Sequence, residues 1–346
     1  DQADLVGALG GDRVAGQQYL HGDAGRHQPR QGRPHDHEVD DERHGRHDRG
    51  DQGRPVHPGV EKGTLDTALA AKPFAPPSGL DWFTQGFVPA APHQPDLMLF
   101  RQQHCALVAL RREDKVLPAS VVRDLVEEKI ADIEARDFRK VGKKERQGLK
   151  EQVTDDLLPR AFTRRSRTAA YLDCKNGWLG IESSTPAKAE TLISALREAL
   201  PPFPARLPHT ALSPSSQMTV WLLGGVPDGF ELDADCELKA PEEHGAVVRC
   251  TRQDLTAAEI RVHLESGKQV TKLGLIWRER IRFVLTDTLQ IKRLQFLDLL
   301  QEEAEQAGDD AESLFEATFA LMTGELAVLI ADLIDALGGE PQDQDA

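Results

Sequence analysis

Cysteine is scarce in this chain: four in 346 residues, at 105, 174, 236 and 250, with no CxxC pair among them. The N-terminus has no signal-like apolar run, so a disulfide framework is not expected and a reducing cytoplasm is. Uninterrupted apolar runs of ~18 residues are also missing, which excludes a membrane span. The nearest approach, Leu326 to Leu337, contains Asp332 and Asp335. The nucleotide motifs GxxxxGK[ST] and GxGxxG and the GxSxG elbow are absent, which argues against a P-loop ATPase or a serine hydrolase of that type. Most acidic pairs fall on helical patterns or in the tail rather than on converging strands, so two-metal nuclease chemistry is not expected. Finally, from Leu297 onward there are 14 Asp and Glu and no Lys or Arg.

That last absence changes the meaning of the net charge of −15. Residues 1–296 carry 42 basic and 43 acidic side chains and are nearly neutral. Within them, Arg136 to Arg167 holds 11 basic residues against 5 acidic ones. Local field rather than the total decides what a surface attracts. An acidic C-terminal region and a basic segment therefore coexist.

Residues 1–62 differ in composition from the remainder of the chain. They hold 7 of the 12 histidines and no Phe, Trp, Met or Ile. A segment with so little to bury cannot offset its ordering entropy, so it is expected to be disordered, or a mistranslated stretch produced by a wrong start or frameshift. His35, His37, His44 and His47 could chelate a transition metal, but only adventitiously in such a stretch. From residue 63 the patterns are globular. Leu65 and Leu69 predict a short helix, and Cys105–Leu110 a buried strand ending at a charged turn, Arg111–Lys115. Ser120 is expected to cap a helix bearing Val122, Leu125, Val126, Ile130 and Ile133, and a second helix runs from about Lys143 to Pro159. Together they predict an antiparallel helical pair with a basic tip. A hairpin turns at Lys175-Asn176-Gly177, and a helix through Leu192 and Leu196 stops at Pro201-Pro202. Residues 201–216 read as a domain seam. Ala246–Cys250 reads as a strand, and Thr256 with Glu259 as a capping box. Val270–Trp277 and Ile281–Leu285 form a second hairpin, and Ile291–Phe296 is a strand or a helix start. A last helix runs from Leu314 to Gly338-Gly339. Without regular βαβ alternation, the fold class is α+β.

The strongest chemical signal is the basic run: Arg139, Lys140, Lys143, Lys144, Arg146 and Lys150, then Arg160, Arg164, Arg165 and Arg167 around Phe162. Closely spaced cations neutralise phosphates and release counterions together. An aromatic among arginines can stack on bases or wedge between them. A solvated helical face gives similar runs, and Phe162 after Pro159 could be ordinary core.

Several strings resemble the recombination-associated protein RdgC family. They are Lys115-Val116-Leu117-Pro118, Leu157-Leu158-Pro159-Arg160-Ala161-Phe162, Thr251-Arg252-Gln253-Asp254-Leu255-Thr256, Ser266-Gly267-Lys268-Gln269-Val270-Thr271-Lys272-Leu273 and Leu321-Met322-Thr323-Gly324-Glu325-Leu326. They stand in the family's order over residues 63–340. The resemblance implies a cytoplasmic, nucleoid-associated homodimer, shaped as a ring that encircles double-stranded DNA without sequence preference. Such a ring limits access of the strand-exchange recombinase, with no catalysis, cofactor or metal. By position, Arg160 is expected to contact phosphate and Phe162 to pack or wedge at a finger contact. Lys115 would be a lumen cation, and Arg252 and Gln253 would face DNA or the partner subunit. Lys268 and Lys272 are DNA-contact candidates that could equally be structural. The family's opening strand, resembling Met-Trp-Phe-Lys-Asn-Leu, has no match in 1–62, so an unpaired sheet edge is expected.

The expected architecture is thus α+β with mixed sheets and a protruding helical finger. Residues 63–118 with 163–245 would form a central domain, 119–162 the finger and 246–340 a base domain. Residues 341–346 would be a disordered tail. The alternative function is a protein-interaction scaffold for replication or recombination partners that uses the acidic C-terminal region.

Overall fold

The computed structural model describes residues 16–22, 64–242, 245–298, 302 and 310–341. Its strands are β1 (Gly16–Gly22), β2 (Phe83–Val88), β3 (Leu99–Gln102), β4 (Cys105–Val116), β5 (Phe162–Asp173), β6 (Trp178–Ser183), β7 (Ala205–Arg206), β8 (Phe230–Lys239), β9 (Val247–Cys250), β10 (Gln269–Trp277), β11 (Ile281–Thr286) and β12 (Ile291–Phe296). The helices are α1 (Thr64–Ala70), α2 (Ala119–Asp137), α3 (Lys143–Leu157), α4 (Pro186–Ala199), α5 (Pro214–Gly224), α6 (Ala258–Glu265) and α7 (Ala311–Ala336). The α+β class holds. Instead of separate mixed sheets, however, one 12-stranded sheet runs in the order β2-β4-β5-β6-β1-β12-β11-β10-β8-β9, with β3 on β4 and β7 on β1. Its strand ladders are antiparallel.

The strand β1 corrects the expectation of disorder across 1–62 and of an open sheet edge. It pairs with β6 from Gly16↔Ser183 to His21↔Trp178, and with β12 at Gly16↔Lys292 and Gln17↔Ile291. Without it, β6 and β12 would each present a row of unpaired backbone groups. Composition judged a segment of 62 residues as a whole, whereas seven residues suffice to fill a slot between two strands. Residues 1–15 and 23–63, the four spaced histidines among them, and 342–346 of the expected tail lie outside the described residues.

Alternation along β4 distributes the core. Leu107 and Ala109 join one apolar cluster with α5, α6, α7 and the β8–β12 strands. Ala106, Val108 and Leu110 join a second with α1 and α4. The helix α7 carries Phe315, Phe319, Leu326, Leu329, Ile330 and Leu333 into the first cluster. Phe100 meets Phe315 and Phe319 edge-on at 5.1 and 5.3 Å. By length and apolar composition this helix passes as a membrane span, contrary to the expectation from uninterrupted runs. Its buried stripe and the bond from Trp277 Nε1 to Asp332 (2.9 Å) mark it as a core helix. Several local expectations shift. The charged segment 111–115 continues β4 instead of turning. The N-cap of α2 is Pro118 rather than Ser120. Thr256 donates to Asp254, so no capping box forms ahead of α6.

Candidate nucleic-acid interface

The finger grows from the ends of β4 and β5. These strands stay in register from Cys105↔Asp173 to Val116↔Phe162, buried at the first end and exposed at the second. Beyond the core, opposite charges face each other across the ladder: Arg165 opposite Glu113 and Arg164 opposite Asp114. The Arg165–Glu113 pair helps a two-stranded arm persist outside an apolar core, whereas Asp114 turns to Arg112 on its own strand. Glu113 is buried between Arg111 and Arg165, the latter at 2.7 Å. Arg112 holds Asp114 at 2.8 Å and lies 3.8 Å over the Phe83 ring. Lys115, expected as a lumen cation, is buried instead, and its ammonium donates to the Gly79 carbonyl at 2.7 Å. A strand that continues through 111–115 turns that side chain inward.

On this arm stand α2 and α3, joined by a small apolar cluster of Val122, Val126, Ile130 and Val153 with Leu149 and Leu157 at its margin. Phe138 ends α2 in the left-handed region (φ 52°) and is almost fully exposed. The tip is braced by ions. Arg139 grips Glu145 through both terminal nitrogens at 2.6 and 2.7 Å, and Arg146 pairs with Glu127 across the helices. Arg139 holds the Glu145 carboxyl below its usual range, and Arg136 does the same for Asp137. Two of the six cations of the finger run are thereby occupied. Lys140, Lys143, Lys144 and Lys150 are exposed, and among the described residues none has a carboxylate partner. Lys143 and Lys150, seven apart, share one side of α3.

At the foot of the finger, Arg160 and Arg164 are likewise exposed and unpaired among the described residues. Phe162 lies between them in sequence and is 87% exposed, which removes the alternative of a core side chain. Arg165 is neutralised by Glu113. Arg167 donates to the Ala90 carbonyl at 2.8 Å and lies beside Glu182.

A second cationic surface lies on the other half of the sheet. A groove of about 410 Å³ is lined by Arg249, Lys272, Lys292 and Arg293 with Asp235 and Glu237. Lys272 and Arg249 share Glu237 at 3.0 and 2.8 Å, and Arg293 holds Asp235. Burial pushes the Glu237 carboxyl up, but hydrogen bonds from Arg249 and Lys272 outweigh it and leave it below its usual range. Arg252 leaves β9 in the left-handed region (φ 54°), its backbone N–H donating to Asp235 at 3.1 Å and its side chain exposed. Gln253 donates its backbone N–H to Ala234 and is exposed beside it. The Lys268 ammonium donates to the Ser266 hydroxyl at 3.0 Å.

The profile of a family described as "Putative exonuclease, RdgC" matches residues 55–340 of this chain. The chain belongs to the RdgC family. The "Recombination-associated protein RdgC" of Laribacter hongkongensis (strain HLHK9) is 64% identical over 278 residues, covering 80% of this chain and 93% of that protein. Proteins of the same name from Neisseria meningitidis serogroup C (strain 053442) and Dechloromonas aromatica (strain RCB) are 49% and 43% identical, each covering 81% of this chain and 93% of the relative. The name these relatives share associates them with recombination.

Sequence reasoning missed Phe138, Arg249, Lys292 and Arg293. Phe138 had a visible signal, a lone aromatic between Asp137 and Arg139. The other three sit on strands whose shared face emerges only from the register.

Proposed function

We propose that this RdgC protein binds double-stranded DNA through its phosphate backbone, without sequence preference, and limits recombinase access to it. The supporting observation is six exposed cations, Lys140, Lys143, Lys144, Lys150, Arg160 and Arg164, free of carboxylates among the described residues on a protruding arm. They stand in a chain of net charge −15, which otherwise repels a polyanion. Exposed Phe162 and Phe138 add flat surfaces for base stacking or for apolar contact with a second copy. Arg252 and Lys268, with Gln253 as a polar neighbour, supply a second set of contacts, and Lys272 contributes less because Glu237 holds it. The assembly is a homodimeric ring around the duplex, and the protein works on the nucleoid in the cytoplasm.

The test is retention on DNA of different topology. A ring slides off linear duplex ends at moderate salt and stays on closed circles. Equal loss from both forms contradicts encirclement while leaving backbone binding intact. A scaffold role for the acidic C-terminal region has less support, because α7 is packed into the core and Asp332 and Glu325 are taken up by Arg278 and Arg280. Labelled DNA should survive incubation with Mg²⁺ or Mn²⁺, and cleavage would overturn the non-catalytic assignment.

A further inference from the structure

We propose that His93, Glu312 and Glu316 form a binding site for a first-row divalent cation, with Zn²⁺ the best fit. His93 lies in the loop between β2 and β3, and the two glutamates stand four residues apart on the first turns of α7, one above the other on a single side. The imidazole Nε2 is 3.8 Å from a carboxylate oxygen of Glu316 and 4.0 Å from one of Glu312. The three donor atoms all lie within 4.8 Å of one another.

The decisive feature is that Nε2 is shut off from solvent and makes no hydrogen bond. A buried polar atom without a partner is rare and costly, and it asks for an explanation. The ring is held in place: Phe100 and Phe315 pack against it edge-on at 5.6 and 5.2 Å. It cannot easily swing out to find water. The glutamates are more open, Glu312 exposed and Glu316 half-buried, and free to adjust. Donors around a tetrahedral Zn²⁺ sit about 2.0–2.2 Å from the ion, so they stand roughly 3.3 Å apart. Against the separations of 3.8, 4.0 and at most 4.8 Å, the donors need to close by roughly 0.5 to 1.5 Å, a shift that rotation of two glutamate side chains can supply. One imidazole with two carboxylates suits Zn²⁺, Mn²⁺ or Fe²⁺ better than Mg²⁺ or Ca²⁺, which prefer all-oxygen shells.

A second cluster, His104 with Cys105 and Asp173, fits a metal less well. The Asp173 carboxylate already accepts from the backbone N–H groups of Lys175 and Asn176 and from the Asn176 amide. At His93 no such competing bonds exist among the described residues. A cation there ties the loop before β3 to the start of α7, so its role is structural.

The experiment uses the full chain, stripped with a chelator and dialysed, and titrated with Zn²⁺ by calorimetry and in thermal unfolding. Histidines in 1–62 bind Zn²⁺ as a background common to all variants. Wild type should bind one more Zn²⁺ per chain than His93→Gln, and Zn²⁺ should raise its unfolding midpoint by a few degrees. Both effects should be lost in His93→Gln and in Glu312→Gln/Glu316→Gln, and Mg²⁺ should produce neither. The double variant changes only the more open carboxylates and decides the matter if His93→Gln does not fold. Unchanged stoichiometry and midpoint shift in the variants overturn the site. So does a midpoint that rises on acidification alone, is lost in His93→Gln and ignores Zn²⁺, since a proton rather than a metal would then occupy the position.

Discussion

Arg139 and Lys143 stand four residues apart in the same basic run, yet the arginine is clasped by Glu145 and the lysine is free. Spacing exposed both as cations. Which cations of the run keep their charge available depends on Glu145, six positions from Arg139, and on Glu127, nineteen positions from Arg146, neither of which a linear reading brings near. Phosphate competes poorly for an arginine already held by a carboxylate. Replacing Arg139 or Arg146 with Gln should therefore weaken DNA binding less than replacing Lys143 or Lys144, which a filter-binding series at fixed salt would measure. Glu182 presents a different residue-scale case. Burial raises its pKa to about 7, with Arg167 opposing. The folded state thus holds a proton that the unfolded chain releases near pH 4.5. Stability falls as pH rises from there to about 7 and is level above, a loss on the order of 3 kcal/mol. Glu182→Gln should flatten that part of the urea-midpoint profile against pH. An unchanged profile would place the titration elsewhere.

Elements were legible where one apolar stripe faced one core. The 3.6-residue period gave α2, α3, α4 and α7, with Pro159, Pro201 and Gly338 ending three of them. The helix α5 was missed because Val220 and Leu223 stay exposed beside buried Trp221 and Leu222, so its apolar run has no clean stripe. The charged part of β4 reads as a turn from its sequence because strand propensity cannot foresee an arm tied to β5 by the Glu113–Arg165 ion pair. Packing within elements sets further expectations. A Cβ at Gly180 on β6 would lie 2.2 Å from the Tyr171 ring on β5, so Gly180→Ala should cost about 1–3 kcal/mol by overpacking. Phe319→Ala should remove the edge-on contact with Phe100 and cost about 3–5 kcal/mol by opening a cavity under α7. Urea titration of each variant checks both, and a loss of a few tenths in either would mean that the sheet–helix contact is looser than its geometry.

For the whole molecule, a continuous sheet carries the family's strings on one chain, and β1 closes the gap between β6 and β12 that composition left open. Charge is partitioned rather than balanced: acids gather on and around α7, and free cations gather on the finger. That partition was readable from counts along the sequence. The sheet continuity was not, because β1 lies in a stretch whose overall composition resembles none of the rest. A duplex held by its backbone must show the salt signature of counterion release, with log K falling by about 0.9 per phosphate neutralised for each unit of log salt. The most direct measurement is this slope for wild type and for Lys143→Gln/Lys144→Gln/Lys150→Gln on two unrelated duplex sequences. The triple variant should bind both duplexes more weakly by the same factor, with a slope shallower by about two to three. A variant with unchanged affinity and slope, or one impaired on a single sequence, would contradict binding through the finger's free lysines.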